Sequence, residues 1–254
     1  MKNLNIMEVC PRDGWQNISE FIPLEEKLYF IRSMLNTGIK HMQIGSFVSP
    51  KAVPQMADTG KIASILIEEY PEVKFDVLIP NLRGAEFAYE VGLRSVSYVV
   101  SVSESHNKTN IGRTHQQSFQ ELISIIEAYS DMDITLSLAT TFGCPFEGEI
   151  EIKEVLDFVE KGISLGINRI ELADTIGSAN PRQVTNIFSE IRRRYPEILL
   201  TAHMHDTRNN GIINSWFALE NGADIVHTAL GGLGGCPFAP GASGNTSTED
   251  LVWL

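Results

Sequence analysis

RIELADTIGSANPRQVTNIFSEIRRRYPEILLTAHMHD, residues 169–206, holds one complete unit of the pattern that decides the fold. Arg169–Ala173 reads as a short β-rich run, and Asn180 followed by Pro181 reads as an N-cap and a first helical residue. A second β-rich run, Leu199–His205, closes the unit. Working outward, further candidate strands lie at Ile6–Cys10, His41–Ile44, Lys74–Ile79, Ser95–Val102, Asp133–Ala139 and Ile225–Leu230. Between them, apolar residues recur at the spacing of one helix face, as in Leu24, Leu28, Ile31 and Leu35, or Ile152, Val155, Leu156, Val159 and Ile163. Gly38 and Gly222 follow such helical stretches.

Strand and helix alternating without a Pro/Gly/Ser-rich linker imply a parallel sheet built by right-handed crossovers. An open doubly wound sheet and a closed barrel both satisfy this. Eight candidate strands, with polar clusters after their C-terminal ends, favour closure into an α/β (β/α)8 TIM barrel. A length of 254 residues, 43% of them apolar, suits one such domain spanning 1–254. The last helix should begin near Thr248, leaving only Glu249 to Leu254 to extend it, so a truncated eighth helix is expected.

A formal charge of −12 argues against a partner that is nucleic acid or an anionic membrane, because either would be repelled on average. The N-terminal MKNLNIMEVC has no signal-peptide-like apolar stretch, and no run of about 18 apolar residues occurs, so a soluble cytoplasmic protein is expected. Cys10, Cys144 and Cys236 are odd in number in a chain too large to need disulfide staples, which predicts reduced thiols.

The strongest chemical signal is His203-Met204-His205-Asp206 at the end of an apolar strand, where a two-residue period puts both imidazoles on one side. Alone, such a pair is as readily two satisfied histidines. Asp13 closes the first strand in EVCPRDGWQN, beside Arg12, with Gly14 allowing a sharp turn. In a barrel all strand ends meet at one mouth, so Asp13, His203 and His205 are expected to share an ion. GGLGGCPFAPGASGNTSTEDL, residues 231–251, reads as a glycine-rich active-site lid carrying Cys236 and Asn245.

These stretches, together with GSFVSPKAVPQMAD, IPNLRG, TFGCPFEGEI and LADTIG, resemble in order the signatures of the 3-hydroxy-3-methylglutaryl-CoA lyase family, over essentially the whole chain. The resemblance implies a metal-dependent carbon–carbon lyase acting on a small-molecule acyl-CoA. It implies Mg2+ or Mn2+ held by Asp13, His203, His205 and Asn245, a set that suits open octahedral coordination better than a closed tetrahedral zinc site. It also implies that Arg12 stabilises an enolate oxygen, Cys236 protonates the enolate carbon and Asp174 assists proton transfer.

The chain departs from the family pattern where a glutamate usually precedes the Ser-Phe-Val segment, here Gln43, and where a serine usually precedes Leu-Gly-Asp, here Glu171. This relocated carboxylate, with Trp15 and Arg208 at altered positions, predicts an altered acyl-CoA preference; neutral drift is the duller alternative. A 2-oxo-acid condensing synthase or aldolase of the same superfamily, and a non-catalytic acyl-CoA- or metal-binding barrel, are the alternatives in function. Assembly into a homo-oligomer is left open.

Overall fold

In the computed structural model, which describes residues 4–235 and 244–254, eight parallel strands close into a barrel in chain order, β1 to β8. The strands are β1 Ile6–Glu8, β2 His41–Ser46, β3 Lys74–Ile79, β4 Ser95–Ser101, β5 Asp133–Ala139, β6 Arg169–Asp174, β7 Leu199–Met204 and β8 Ile225–Thr228. The surrounding helices are α1 Leu24–Leu35, α2 Thr59–Glu69, α3 Leu82–Glu90, α4 Glu104–Ile111, α5 His115–Ala128, α6 Ile152–Ser164, α7 Pro181–Arg194, α8 Gly211–Glu220 and α9 Thr248–Trp253. Asn180 caps α7 as its sequence predicts: its side chain accepts from the amides of Arg182 and Gln183, both at 3.1 Å.

The two faces of the barrel wall divide the chemistry. Outward residues such as Ile170, Leu172, Leu200, Ala202 and Val226 are fully buried against the helices and form the apolar core. Inward positions alternate with them and are polar: Glu171 pairs in register with Thr201, and His203 with His227. Barrel interiors are ordinarily filled by branched apolar side chains. Polar groups are tolerated here because they satisfy one another. Asp76, fully buried, accepts from Gln43 Nε2 at 2.7 Å, Ser95 Oγ at 3.0 Å and Ser97 Oγ at 2.9 Å.

The first strand is shorter than its sequence suggests. After Glu8 the chain turns through a single π-helical stretch, Cys10–Gly14, in which the amides of Arg12, Asp13 and Gly14 all point to the Val9 carbonyl. Gly14 is needed there for space, since a Cβ would lie 3.1 Å from Cys10 Sγ and 3.3 Å from Leu233 Cβ. The last helix begins at Thr248 as expected and runs for six residues. Alongside it, a lateral cavity of about 1200 Å³ opens between α1 and α9, lined by Ile6, Trp15, Ile22, Phe30, Met34 and Val252. Among the described residues no helix is long and apolar enough to cross a membrane.

Candidate active site

At the C-terminal ends of the strands, three buried side chains from two distant parts of the chain converge. Asp13, carried by the π-turn after β1, lies with Oδ2 3.7 Å from His205 Nε2. His205 Nε2 in turn faces His203 Nε2 at 3.1 Å. The π-turn makes this possible: a single wide turn at a strand end re-aims successive side chains, a feature common at functional sites. His203 lies on β7, whose two-residue period carries through to His205, just beyond its end, so both rings enter the mouth.

Asp13 is held as an anion. Burial alone would raise its pKa, but the Arg12 guanidinium beside it, with a smaller contribution from the nearby His205, holds it well below the usual carboxylate range. Gln16 Nε2 donates to its Oδ1 at 2.8 Å, and Arg12 Nη1 pairs with the same oxygen. Burial, reinforced by His205, pushes His203 down to about 3, leaving a neutral imidazole. His205 moves the other way: burial would lower it, but Asp13 draws a proton onto it.

Asn245 also reaches this cluster, but with its amide nitrogen, which donates to Asp13 Oδ2 at 2.7 Å and to the Leu233 carbonyl at 2.8 Å. The family resemblance expects its amide oxygen as a metal ligand; the contacts seen here are those of the amide nitrogen. Gly234, with φ +117°, allows this arrangement, since a Cβ there would collide with the Asn245 amide. Cys236 lies outside the described residues, whereas Cys10 and Cys144 are buried free thiols. Asp174 accepts the amides of Ser178 at 2.9 Å and Ala179 at 3.0 Å, and burial raises its pKa. Arg208 donates to the Gly177 carbonyl at 3.0 Å, across the β6 and β7 loops.

Gln43 and Glu171 are buried at mid-strand positions of β2 and β6, inside the barrel below the strand ends where Asp13 and His205 meet. Arg12 connects Gln43 to the mouth, its Nε donating to Gln43 Oε1. Burial pushes Glu171 up to about 7, against the opposing charge of Arg12. Trp15 is packed in the apolar core and faces the lateral cavity. Sequence reading missed Asp76, Gln16, Thr175 and His227. Asp76 and His227 could have been found as lone polar residues at inward positions of otherwise apolar runs; Gln16 and Thr175 carry no such signal.

A closed parallel barrel with a carboxylate and two imidazoles converging at its mouth, beside a buried arginine, defines the architecture of a barrel enzyme whose mouth carries three groups able to hold a cation. Residues 3–254 match the HMGL-like family, and the chain belongs to it. It is 38% identical over 255 residues to the hydroxymethylglutaryl-CoA lyase of Bacillus subtilis, covering 100% of this chain and 85% of that protein. It is 37% identical over 265 residues to the (R)-citramalyl-CoA lyase of Chloroflexus aurantiacus, covering 100% and 84%. Among solved structures, it resembles an HMG-CoA lyase from Acinetobacter baumannii in complex with coenzyme A and 3-methylmalate. That match has 44% identity and a TM-score of 0.92, over 98% of this chain and 82% of the other. The chain is a carbon–carbon lyase of the acyl-CoA type.

Proposed function

We propose that Asp13, His203 and His205 hold a divalent cation, Mg2+ or Mn2+, at which a carboxylate-bearing 3-hydroxyacyl-CoA is cleaved to a keto acid and acetyl-CoA. The observation that carries this reading is the 3.1 Å separation of the two Nε2 atoms beside an anionic Asp13. A carboxylate oxygen and two imidazoles from one side of the mouth leave positions of a six-coordinate ion open to substrate, which suits Mg2+ or Mn2+ better than a closed tetrahedral zinc site. Asp13, neutral His203 and a displaceable proton on His205 thus fit a hard cation with open positions. Asn245, hydrogen-bonded to Asp13, would be the fourth ligand that the family resemblance implies.

Bound there, the cation supplies Lewis acidity toward the substrate hydroxyl and the carbonyl oxygen that replaces it. Arg12 binds the thioester oxygen, where negative charge develops as the carbon–carbon bond breaks. Its position is set by the ion pair to Asp13 and the hydrogen bond to Gln43. Asp174, its pKa raised by burial, suits transfer of the hydroxyl proton. Cys236, in the glycine-rich stretch of sequence after β8, delivers a proton to the enolate carbon.

The acyl preference is shifted away from 3-hydroxy-3-methylglutaryl-CoA. Gln43 and Glu171 support this through Arg12, whose charge bears on both, rather than by touching the substrate. The test is a panel of 3-hydroxyacyl-CoA thioesters, including 3-hydroxy-3-methylglutaryl-CoA and citramalyl-CoA, with products identified by mass. Cleavage of at least one to a free carbonyl compound and an acyl-CoA is expected. No cleavage of any, with Mg2+ or Mn2+ present, rejects the proposal.

A further inference from the structure

Building on the proposed cation site, we infer that His227 is the residue that orients His203, fixing which of its two nitrogens faces the cation. His227 lies on β8 directly in register with His203 on β7, and both are buried inside the barrel. His203 Nδ1 is 3.0 Å from His227 Nδ1. The ring planes cross at 85° with centroids 5.2 Å apart, and with the two Nδ1 atoms 3.0 Å apart these nitrogens lie between the rings and face each other. A hydrogen bond of that kind needs a proton on one nitrogen and a lone pair on the other.

The neighbouring contacts decide which. His205 Nδ1 is 2.8 Å from the Thr175 carbonyl, which only accepts, so a proton is on Nδ1 and Nε2 is the nitrogen left to face the cation. For His203 to offer its own Nε2 lone pair, its proton must be on Nδ1, and that proton needs an acceptor. Glu171 Oε1 stands 3.8 Å away, beyond hydrogen-bond reach, whereas His227 Nδ1 is within it. His227 therefore accepts from His203, as the Thr175 carbonyl accepts from His205. Glu171, 3.8 Å from each Nδ1, adds a carboxyl group that favours a proton on this bond.

Glu171, His203 and His227 are also close enough to hold an ion of their own. The hydrogen bond between the two Nδ1 atoms, 3.0 Å apart, uses the proton of one and the lone pair of the other, which leaves neither free for a second ion. Partners that fix a metal-binding histidine's tautomer typically affect metal affinity by about 10- to 100-fold.

The experiment is Mn2+ titration of the full chain and of two variants, followed by electron paramagnetic resonance. His227→Leu removes the acceptor and should weaken Mn2+ binding by about 10- to 100-fold. His227→Asn places an amide oxygen near the lost Nδ1 and should bind near wild type, which separates orientation from packing. With Mg2+ bound, 15N spectra should show the His203 proton on Nδ1 in wild type and in His227→Asn. Wild-type affinity in His227→Leu, or a second Mn2+ per chain that this variant alone removes, overturns the inference and leaves the lyase reading standing. A wild-type protein that binds no divalent cation overturns both.

Discussion

Gln43→Glu tests how the barrel interior supports Arg12. Gln43 uses both ends of its amide: Oε1 accepts from Arg12, and Nε2 donates to Asp76 Oδ1 at 2.7 Å. Glutamate keeps the first contact and reverses the second, facing one carboxylate oxygen with another. Two full charges 2.7 Å apart repel by about 6 kcal/mol at an effective dielectric constant of about 20. One carboxyl will therefore keep a proton, helped by burial that already raises Asp76, and the residual cost should be about 2–3 kcal/mol. For a chain of this size that corresponds to a melting temperature lower by about 4–12 °C. A carboxyl whose pKa is raised by folding costs stability as pH rises above its unfolded value. The deficit should therefore be larger at pH 8 than at pH 5. Adding Glu171→Ser removes a neighbouring carboxyl group and should recover part of the loss. It should also raise kcat/KM for 3-hydroxy-3-methylglutaryl-CoA relative to other thioesters more than either change alone. Thermal melts at both pH values and steady-state kinetics read this out. A single variant as stable as wild type at pH 8, or a double variant no better than the single, refutes the reasoning.

Arg12→Gln should lower kcat by about 10²–10³ while Mn2+ still binds, measured by kinetics and titration on one preparation; unchanged turnover would remove Arg12 from the chemistry. His41, at the start of β2, is held neutral: burial first, then Lys74 and Arg169, push it down to about 3. A base with a depressed folded pKa stabilises the fold above its ordinary value near 6.5 and loses that contribution as pH falls toward about 3. His41→Gln should therefore flatten the acid limb of the stability curve by about 3–5 kcal/mol across that window, with denaturant melts as the assay. Parallel curves for the two proteins would contradict the assigned burial.

Much of the barrel was legible because period-two runs and helix-face spacing are local properties. Lys74–Ile79 and Asp133–Ala139 form strands with the bounds their sequences suggest. The same periodicity put His203 and His205 on one side. The overshoot at Ile6–Cys10 has a non-local cause: strand propensity continues through Val9 and Cys10, but the Val9 carbonyl gathers three amides and turns the chain so that Asp13 enters the mouth. Asp76 and His227 gain meaning only from barrel closure and register, which bring them to Gln43 and His203. The departures at Gln43 and Glu171 were visible through family resemblance. Their place beneath Arg12 was not, because depth inside a barrel depends on how strands are staggered.

The central claim is that Asp13, His203 and His205 hold a divalent cation required for carbon–carbon cleavage. Stripping the protein with chelator, restoring Mn2+ stepwise, and measuring bound metal and thioester cleavage in the same samples tests it directly. Turnover should be absent in stripped protein and rise in proportion to bound Mn2+, saturating at one ion per chain, with His203→Ala and His205→Ala losing both together. Full turnover in the stripped protein would contradict the account.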